Sequence, residues 1–289
     1  MTRLALGTAQ FGLNYGLANF SGQVTQAEVG VILNRAATAG IDTLDTAIAY
    51  GQGEACLGRA GMTGWRVITK LPPLPQEVTD VREWVDEQIG GSLRRLGIAQ
   101  LEAVLLHRSS DLLGPLGEAY VGILNEMKAA GLTRALGVSI YDPVELDRLW
   151  PKWSPDVVQA PCNVLDRRLI HSGWLDRLNR NGVRVHVRSA FLQGLLLMAA
   201  DCRPGGFARW KDILDRWMEW CKEREISPLR GALAFVLALR GVEFVVIGVN
   251  SDAQLEECLA HSSAVDPLPP DDMFSEDRNL IDPSRWKVA

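Results

Sequence analysis

Eight short runs rich in valine, isoleucine and leucine alternate along the chain with longer segments of helical periodicity. Most of the runs are almost continuously apolar, as expected of parallel strands that are covered on both faces. Strands that alternate with helices predict βα units and a parallel sheet. Eight such units favour an α/β fold of the closed (β/α)8 TIM barrel type over an open sheet. The runs lie at Arg3–Gly7, Ile41–Asp45, Trp65–Lys70, Leu101–Leu106, Arg134–Val138, Pro155–Gln159, Val183–Val187 and Phe244–Ile247.

The segments between the runs carry signals for the ends of helices. Gly40, Gly97, Gly131 and Gly182 each follow a periodic segment at the position where a helix commonly ends in a left-handed residue. Asp142-Pro143 is typical of a helix start, with a capping side chain before an N1 proline. The predicted helices are Thr25–Ala39, Asp80–Leu96, Glu118–Ala130, Leu169–Asn181, Asp212–Arg224, Pro228–Leu239 and Ser251–Ala260.

The length of 289 residues fits one barrel as well as two average domains. The stretch from Gly7 to Gly12 has the wrong glycine spacing for a dinucleotide-binding fingerprint, and no Walker loop is present. No composition shift marks a linker. We therefore expect a single domain, with a barrel over residues 1–262 and a C-terminal tail over residues 263–289.

Charge and cysteine content exclude several classes of protein. Thirty Lys plus Arg against 35 Asp plus Glu give a net charge of −5, which argues against nucleic-acid and anionic-membrane partners. The five cysteines form no CxxC pair, and His171 and His186 have no ligand-like spacing, so neither a disulfide framework nor a metal site is expected. With neither a signal peptide nor a membrane-spanning run in the sequence, we expect a cytoplasmic protein.

Ionisable residues end three consecutive predicted strands. Asp45 ends the second, with Tyr50 five residues later, Lys70 ends the third, and His107 follows the fourth. The carboxyl ends of barrel strands form the working face, so these side chains are expected around one mouth. Each has a structural alternative: a satisfied buried histidine, a solvent-reaching lysine or a loop-capping pair. Their coincidence at one end of the sheet favours function.

These residues resemble the Asp, Tyr, Lys and His tetrad of the aldo-keto reductase family. The Asp-to-Tyr spacing in Asp45-Thr-Ala-Ile-Ala-Tyr50 matches, as does the order through Lys70 to His107. The resemblance covers almost the whole chain and continues through the segments Leu136-Gly-Val-Ser139, Val158-Gln159, Gln193-Gly-Leu-Leu, Val246-Ile-Gly248 and Leu255-Glu-Glu257.

The resemblance implies reduction of a small aldehyde, ketone or sugar by hydride transfer from a nicotinamide cofactor. Tyr50 would be the general acid, and the Lys70 ammonium would lower its pKa. Asp45 would keep Lys70 charged, and His107 would hold the carbonyl oxygen by a hydrogen bond. The expected partner is a small carbonyl compound, and the expected assembly is a monomer or small homo-oligomer. The resemblance also implies that the tail over residues 263–289 lies over the barrel mouth and helps to set substrate choice.

The nicotinamide end of the cofactor site is implied by the same resemblance. Ser139 and Gln159 match the residues that hold the carboxamide. The Asn that usually follows the Ser is Ile140 in this chain, and Asn163 could supply the missing contact. Arg188 stands where an aromatic residue usually stacks on the nicotinamide. Its guanidinium could stack there too, or it could turn away to bind an acidic substrate. Ser189 and Gln193 are also assigned to the cofactor.

The adenosine end departs from the family pattern. Gly248, Val249 and Asn250 are expected at the pyrophosphate, together with Ser251 and the helix that it begins. Gln254 stands in place of the arginine that often grips the adenosine 2′-phosphate; Glu257 is also assigned to the cofactor, and Cys258 replaces an Asn. Family frequency favours NADP(H), with NAD(H) as the alternative.

Two other classes of function stay open on the sequence. One is a non-catalytic, cofactor-binding regulatory subunit on the same fold. The other is a metal-dependent hydrolase or isomerase that uses Asp45 and His107.

Overall fold

Eight parallel strands form a closed barrel in the computed structural model, which describes residues 2–262 and 267–286. Neighbouring strands pair in sequence order, and the last strand closes the barrel against the first through the pairing of Leu4 with Val245. The predicted fold class is confirmed, with each strand within two residues of the predicted run at either end. The strands are β1 Leu4–Gly7, β2 Thr43–Asp45, β3 Arg66–Leu71, β4 Ala103–Leu106, β5 Leu136–Ser139, β6 Val157–Pro161, β7 Arg184–Arg188 and β8 Val242–Gly248.

Helices connect the strands and cover the outside of the barrel. They are α1 Ala9–Gly12, α2 Gln26–Thr38, α3 Gly53–Ala60, α4 Val81–Leu96, α5 Gly117–Ala129, α6 Val144–Leu149, α7 Arg168–His171, α8 Trp174–Arg180, α9 Lys211–Glu223, α10 Pro228–Ala238, α11 Asp252–His261 and α12 Arg278–Ile281. Short 3₁₀ turns lie at Ser109–Leu113, Leu192–Leu197, Ala200–Cys202, Gly205–Trp210 and Pro283–Arg285. No described helix has the length and apolar character that a membrane crossing requires.

The helix predicted over Leu169–Asn181 is wrong in one respect. Two helices, α7 and α8, occupy this segment, because Gly173 takes a left-handed φ of +74° between them. No L-residue in a continuous helix adopts that conformation readily, and glycine does so without a Cβ clash. The sequence pattern also gave no sign of α3, the helix directly after the Tyr50 loop.

The inward face of the strands carries the polar groups. Asp45 on β2 contacts Gln159 on β6, and these strands are not neighbours, so their side chains meet inside the barrel. Because strand residues alternate between faces, Arg66, Ile68 and Lys70 of β3 share this inner side. At the amino-terminal end of the barrel, Arg66 pairs with Asp42. An apolar layer that includes Ile68 separates this pair from Lys70, which lies near the mouth.

The tail packs beside the mouth on the loops that follow β5, β6 and β7. Arg278 pairs with Asp142 at 2.7 Å, the Ser275 amide donates to the Leu165 carbonyl, and the Trp210 indole donates to Asp277. The predicted boundary at residue 263 lies outside the described residues. None of the described tail residues lines the cavity at the mouth, so a direct effect of the tail on substrate choice stays a prediction.

Gly12 at the end of α1 sets the position of the loop that follows β2 and carries Tyr50. Gly12 is buried, and a Cβ built on it would lie 1.7 Å from the carbonyl oxygen of Tyr50 and 2.4 Å from the amide nitrogen of Gly53. Both groups are backbone atoms, so the contact can be relieved only by moving the loop. The loop after β1 and the loop after β2 therefore pack as one unit.

We expect Gly12→Ala to lower the free energy of unfolding by about 1–3 kcal/mol, because overpacked backbone must shift. The change should be measured by chemical denaturation at equilibrium. Gly30→Ala is the matched control: Gly30 is exposed within α2, and a Cβ there meets no atom within 4 Å. That variant should gain about 0.5–1 kcal/mol from helix propensity. Equal stability of Gly12→Ala and the wild type would contradict the packing argument.

Candidate active site

A cavity at the carboxyl ends of the strands is lined by most of the predicted site residues. Its volume is about 740 Å³, within the range of small-molecule and cofactor sites. Lys70 lies beneath it against Asp45, and most of the other predicted site residues line it. These are Asp45, Tyr50, His107, Ser139, Gln159, Arg188, Ser189, Gln193, Gly248, Val249, Asn250, Gln254 and Glu257. Ser251 and Asn163 are not among the lining residues, and the Asn163 amide donates to the Ser189 carbonyl instead.

A buried ion pair lies at the base of the cavity. Lys70 is 1% exposed and Asp45 is 4% exposed; the Lys70 Nζ lies 2.5 Å from Asp45 Oδ1 and 2.8 Å from the Thr46 carbonyl oxygen. Burial lowers the pKa of Lys70, and the charge of Asp45 opposes that shift. The ammonium therefore depends on Asp45 to remain charged away from water.

Gln159 completes the surroundings of Asp45. Its Nε2 donates to Asp45 Oδ2 at 2.7 Å, while its Oε1 accepts a hydrogen bond from Ser139 Oγ at 3.3 Å. Both carboxylate oxygens of Asp45 are thus bonded, one to Lys70 and one to Gln159. Ser139 and Gln159, which the resemblance assigns to the nicotinamide carboxamide, here also connect the cavity wall to the ion pair.

Tyr50 reaches the cavity from the loop after β2. Its ring centroid lies 5.2 Å from the Lys70 Nζ and 5.9 Å from the centroid of the His107 ring. Burial and then the charge of Asp45 raise the pKa of Tyr50, whereas Arg188 opposes the shift. This is opposite to the expected lowering by Lys70, because the ammonium donates to Asp45 and Thr46 and not to the phenol oxygen.

Glu54 anchors the helix that follows Tyr50, and no sequence pattern pointed to it. Its side chain is 2% exposed and accepts hydrogen bonds from Thr69 Oγ1 at 2.7 Å and Ser92 Oγ at 2.6 Å. Arg95 pairs with its other oxygen at 2.7 Å. The carboxylate thereby fastens α3 to β3, one residue before Lys70, and to α4. The one feature of the sequence that could have indicated this contact is Thr69, the polar residue directly before Lys70, which donates to Glu54.

His107 faces Tyr50 from the end of β4, where its amide donates to the Leu71 carbonyl at 3.0 Å. Burial, then the charges of Lys70 and Arg188, lower the pKa of His107 to about 3. The imidazole is therefore neutral at physiological pH and has one N–H to donate.

Arg188 ends β7 and brings a cation to the cavity wall. Its Nη2 donates to the Ile140 carbonyl at 3.0 Å, its Nη1 to Ser189 Oγ at 3.3 Å, and its Cζ lies 4.8 Å from the centroid of the Tyr141 ring. Tyr141 is a contact that no sequence pattern predicted. A guanidinium over an aromatic face is a favourable cation–π arrangement.

The chain after Arg188 crosses the cavity in left-handed conformations. Ser189, Leu192 and Gln193 all have positive φ, between 48° and 63°. Gln193 Nε2 contacts the hydroxyl of Tyr15, and its carbonyl accepts from the Ala18 amide, both at 3.3 Å. Non-glycine residues keep such strained conformations only where neighbouring contacts require them. For Gln193, the loop after β1 provides these contacts.

The far end of the cavity is formed by β8 and the start of α11. A Cβ on Gly248 would lie 2.6 Å from Gln10 Nε2, so glycine leaves room for that amide. Gln10 Oε1 and Asn250 Oδ1 are both buried without a hydrogen-bond partner among the described residues. Unpaired buried amide oxygens beside a cavity fit a ligand that donates hydrogen bonds, as hydroxyl, amino and carboxamide groups of a dinucleotide do.

Gln254 turns its side chain back onto the loop before its helix. Its Oε1 accepts from the Asn250 amide at 2.8 Å, and its own amide donates to Ser251 Oγ at 3.3 Å. The nearby Arg35 is bound to Asp252 and lies 3.4 Å from Glu256. No described lining residue of this end carries a positive charge, and Glu257 adds a negative one.

Known proteins support the relationship expected from the sequence. A model of the Aldo/keto reductase family matches residues 3–277. The NADH-specific methylglyoxal reductase of Escherichia coli (strain K12) is 28% identical over 194 residues, 62% of this chain and 59% of that protein. The D-threo-aldose 1-dehydrogenase of a Pseudomonas species is 27% identical over 295 residues, 88% of this chain and 89% of that protein. The chain thus spans less than two thirds of the first relative and most of the second.

Solved structures agree on the fold. A holo-form aldo-keto reductase from Bacillus halodurans aligns with a TM-score of 0.74 at 23% identity, over 92% of this chain and 88% of that one. With the family match extending over the barrel and the cavity residues, the chain belongs to the aldo/keto reductase family.

Proposed function

We propose that this protein reduces a small carbonyl compound to an alcohol with a reduced nicotinamide dinucleotide. The observation that carries the proposal is the buried Asp45–Lys70 pair beneath Tyr50 and His107 at the base of the cavity. Overall, one hydride and one proton are added to the C=O group. The hydride is what the nicotinamide supplies when bound; the chain supplies the proton and the alignment.

Tyr50 is the proton donor in this scheme. Its raised pKa keeps the phenol protonated at neutral pH, so the acidic form is the one present. The carbonyl oxygen becomes strongly basic only as negative charge develops on it, and it then takes the phenol proton. The charge of Arg188 favours the phenolate that remains, and the Lys70 Nζ lies 5.2 Å from the ring centroid.

His107 positions the carbonyl oxygen. Since its imidazole is neutral, it donates one hydrogen bond without competing with Tyr50 as an acid. A donor aimed at the developing oxyanion stabilises the transition state more than the ground state.

In this proposal Ser139, Gln159 and Ser189 would hold the nicotinamide end of the cofactor, and Gln193 would also contact the cofactor. Gly248, Val249 and Asn250 would hold the pyrophosphate, and Gln254 and Glu257 would lie at the adenosine. The unpaired oxygens of Gln10 and Asn250 add two acceptors for the cofactor.

The chain's own residues support NAD(H), although family frequency favours NADP(H). A 2′-phosphate adds close to two negative charges. Gln254 is engaged with the Asn250 amide, Arg35 is neutralised by Asp252, and Glu257 is acidic. The NADH specificity in the name of the Escherichia coli relative agrees with this choice.

Replacement of Tyr50 by Phe should lower kcat/KM for carbonyl reduction about 10²- to 10⁴-fold, because the proton donor is lost. Cofactor affinity should be unchanged. The measurement is the loss of reduced-nicotinamide absorbance with a panel of aldehydes, ketones and sugars.

Tyr120→Phe is the control, since the Tyr120 hydroxyl is buried, has no partner among the described residues, and lies outside the cavity. It should keep full activity. Undiminished turnover in Tyr50→Phe would overturn the assigned role, and a wild type that binds cofactor without reducing any carbonyl would support a regulatory subunit.

His107 makes stability depend on pH. Its folded-state pKa of about 3 lies below the ordinary value of 6.5, so the fold favours the neutral imidazole. Below about pH 6.5 the unfolded chain binds a proton that the folded chain does not, and the free energy of unfolding falls. We expect His107→Gln to flatten this fall between about pH 6.5 and pH 4 in denaturant titrations.

His261→Gln is the matched histidine control, because His261 ends α11 outside the cavity. It should retain the wild-type dependence on pH. Identical slopes for His107→Gln and the wild type would show that His107 is not desolvated as described.

The cofactor preference predicts tighter binding of NADH than of NADPH, by about tenfold or more for the loss of charge-assisted contacts. Tryptophan-fluorescence titration of the purified protein measures both affinities without turnover. Gln254→Arg should improve NADPH binding. Ala253→Arg places the same charge on an exposed neighbour outside the cavity and should not. Tighter NADPH binding by the wild type would exclude the preference.

A further inference from the structure

Arg188 holds a positive charge at the mouth of the barrel without a carboxylate partner. Among the described residues, no Asp or Glu oxygen lies within 4 Å of its guanidinium, and the two protein contacts are to the Ile140 carbonyl and the Ser189 hydroxyl. The other arginine of the cavity wall, Arg108, is bound to Asp111 at 2.5 Å. A half-buried cation without a counter-ion is costly, and a bound anion relieves that cost.

The guanidinium is held in place but not saturated. Its contact with Ile140 and its stacking on Tyr141 fix its plane, while five N–H donors leave several unused by the two hydrogen bonds. A planar fork with free donors suits a carboxylate or phosphate, which it can bind through two parallel hydrogen bonds.

The carboxylates that line the cavity nearby form no ion pair with Arg188. Asp45 is bonded to Lys70 and Gln159. Glu145 accepts hydrogen bonds on both oxygens, from the Tyr141 and Asp142 amides and from Ser109 Oγ. Within the described part of the cavity, an arriving anion therefore meets Arg188 with donors to spare.

Arg188 is close enough to the catalytic groups to bind the same molecule. Arg188, Tyr50 and His107 line the same cavity. In keeping with that placement, the charge of Arg188 lowers the pKa of both Tyr50 and His107. A substrate whose carbonyl oxygen contacts Tyr50 and His107 would thus have Arg188 beside it on the cavity wall.

We propose that Arg188 binds the anionic group of the substrate, so that the preferred substrates are aldehydes or ketones that carry a carboxylate or a phosphate. This inference rests on the proposed reductase function. It assigns Arg188 to substrate recognition and not to stacking on the nicotinamide, the other role that its position allows. The carbonyl of such a substrate is oriented by two contacts, the anion at Arg188 and the oxygen at Tyr50 and His107.

The test compares carbonyl substrates that differ only in their anion. Succinic semialdehyde is paired with butyraldehyde, and glyceraldehyde 3-phosphate with glyceraldehyde, so that the two pairs distinguish carboxylate from phosphate. The anionic member of at least one pair should have the higher kcat/KM by about 10- to 100-fold, the range expected for a charge-assisted bidentate contact. Arg188→Gln should abolish that difference chiefly through KM.

Arg108→Gln is the matched control, because that arginine lines the same cavity but is already paired. It should retain the preference. NADH titration of Arg188→Gln supplies the second readout: an unchanged Kd supports substrate recognition, whereas a loss of affinity of tenfold or more would assign Arg188 to the cofactor and overturn the proposal.

The possible failures are distinct. Reduction of neutral and anionic carbonyls with equal efficiency would refute the role of Arg188 and leave the reductase function intact. Absence of turnover with every member of both pairs and with the wider carbonyl panel would refute the function itself.

Discussion

The ion pair between Asp45 and Lys70 constrains the rest of the structure. Two charges buried away from water require every remaining polar atom around them to be satisfied. Gln159 reaches across the barrel interior to do this for Asp45, and the Thr46 carbonyl does it for Lys70. Strands β2, β3 and β6 are thereby joined at the base of the cavity. A pair of this kind adds little net stability, so its value lies in holding a cation beneath Tyr50.

The cavity is electrostatically polarised along its length. Arg188 carries an uncompensated positive charge at the chemical end, whereas Glu257 and the capped loop at Asn250 leave the other end without a described cation. Such a gradient orients a ligand that has different charges at its two ends before any close contact forms. Under the two proposals, Arg188 would select the substrate and the far end of the cavity would select the cofactor, so the two preferences could change independently.

Much of this architecture was predictable because it depends on local pattern. Buried parallel strands are continuously apolar, so the barrel could be read from eight runs, and the ends of those runs placed Asp45, Lys70 and His107 at one mouth. The split at Gly173 was not predictable, since glycine can end a helix or lie within one. The bonds of Glu54 to Thr69 and Ser92 join segments far apart in sequence, and no periodicity reports such contacts.

The contact between Gly12 and the Tyr50 carbonyl has a consequence for how this fold can change. Loops after barrel strands are usually regarded as exchangeable parts mounted on a constant scaffold. Here the loop after β1 and the loop that carries Tyr50 share a surface with no space for a methyl group. A library that randomises the loop after β1 would therefore also change the position of Tyr50, so a new substrate specificity selected there would come with altered chemistry if Tyr50 is the proposed proton donor.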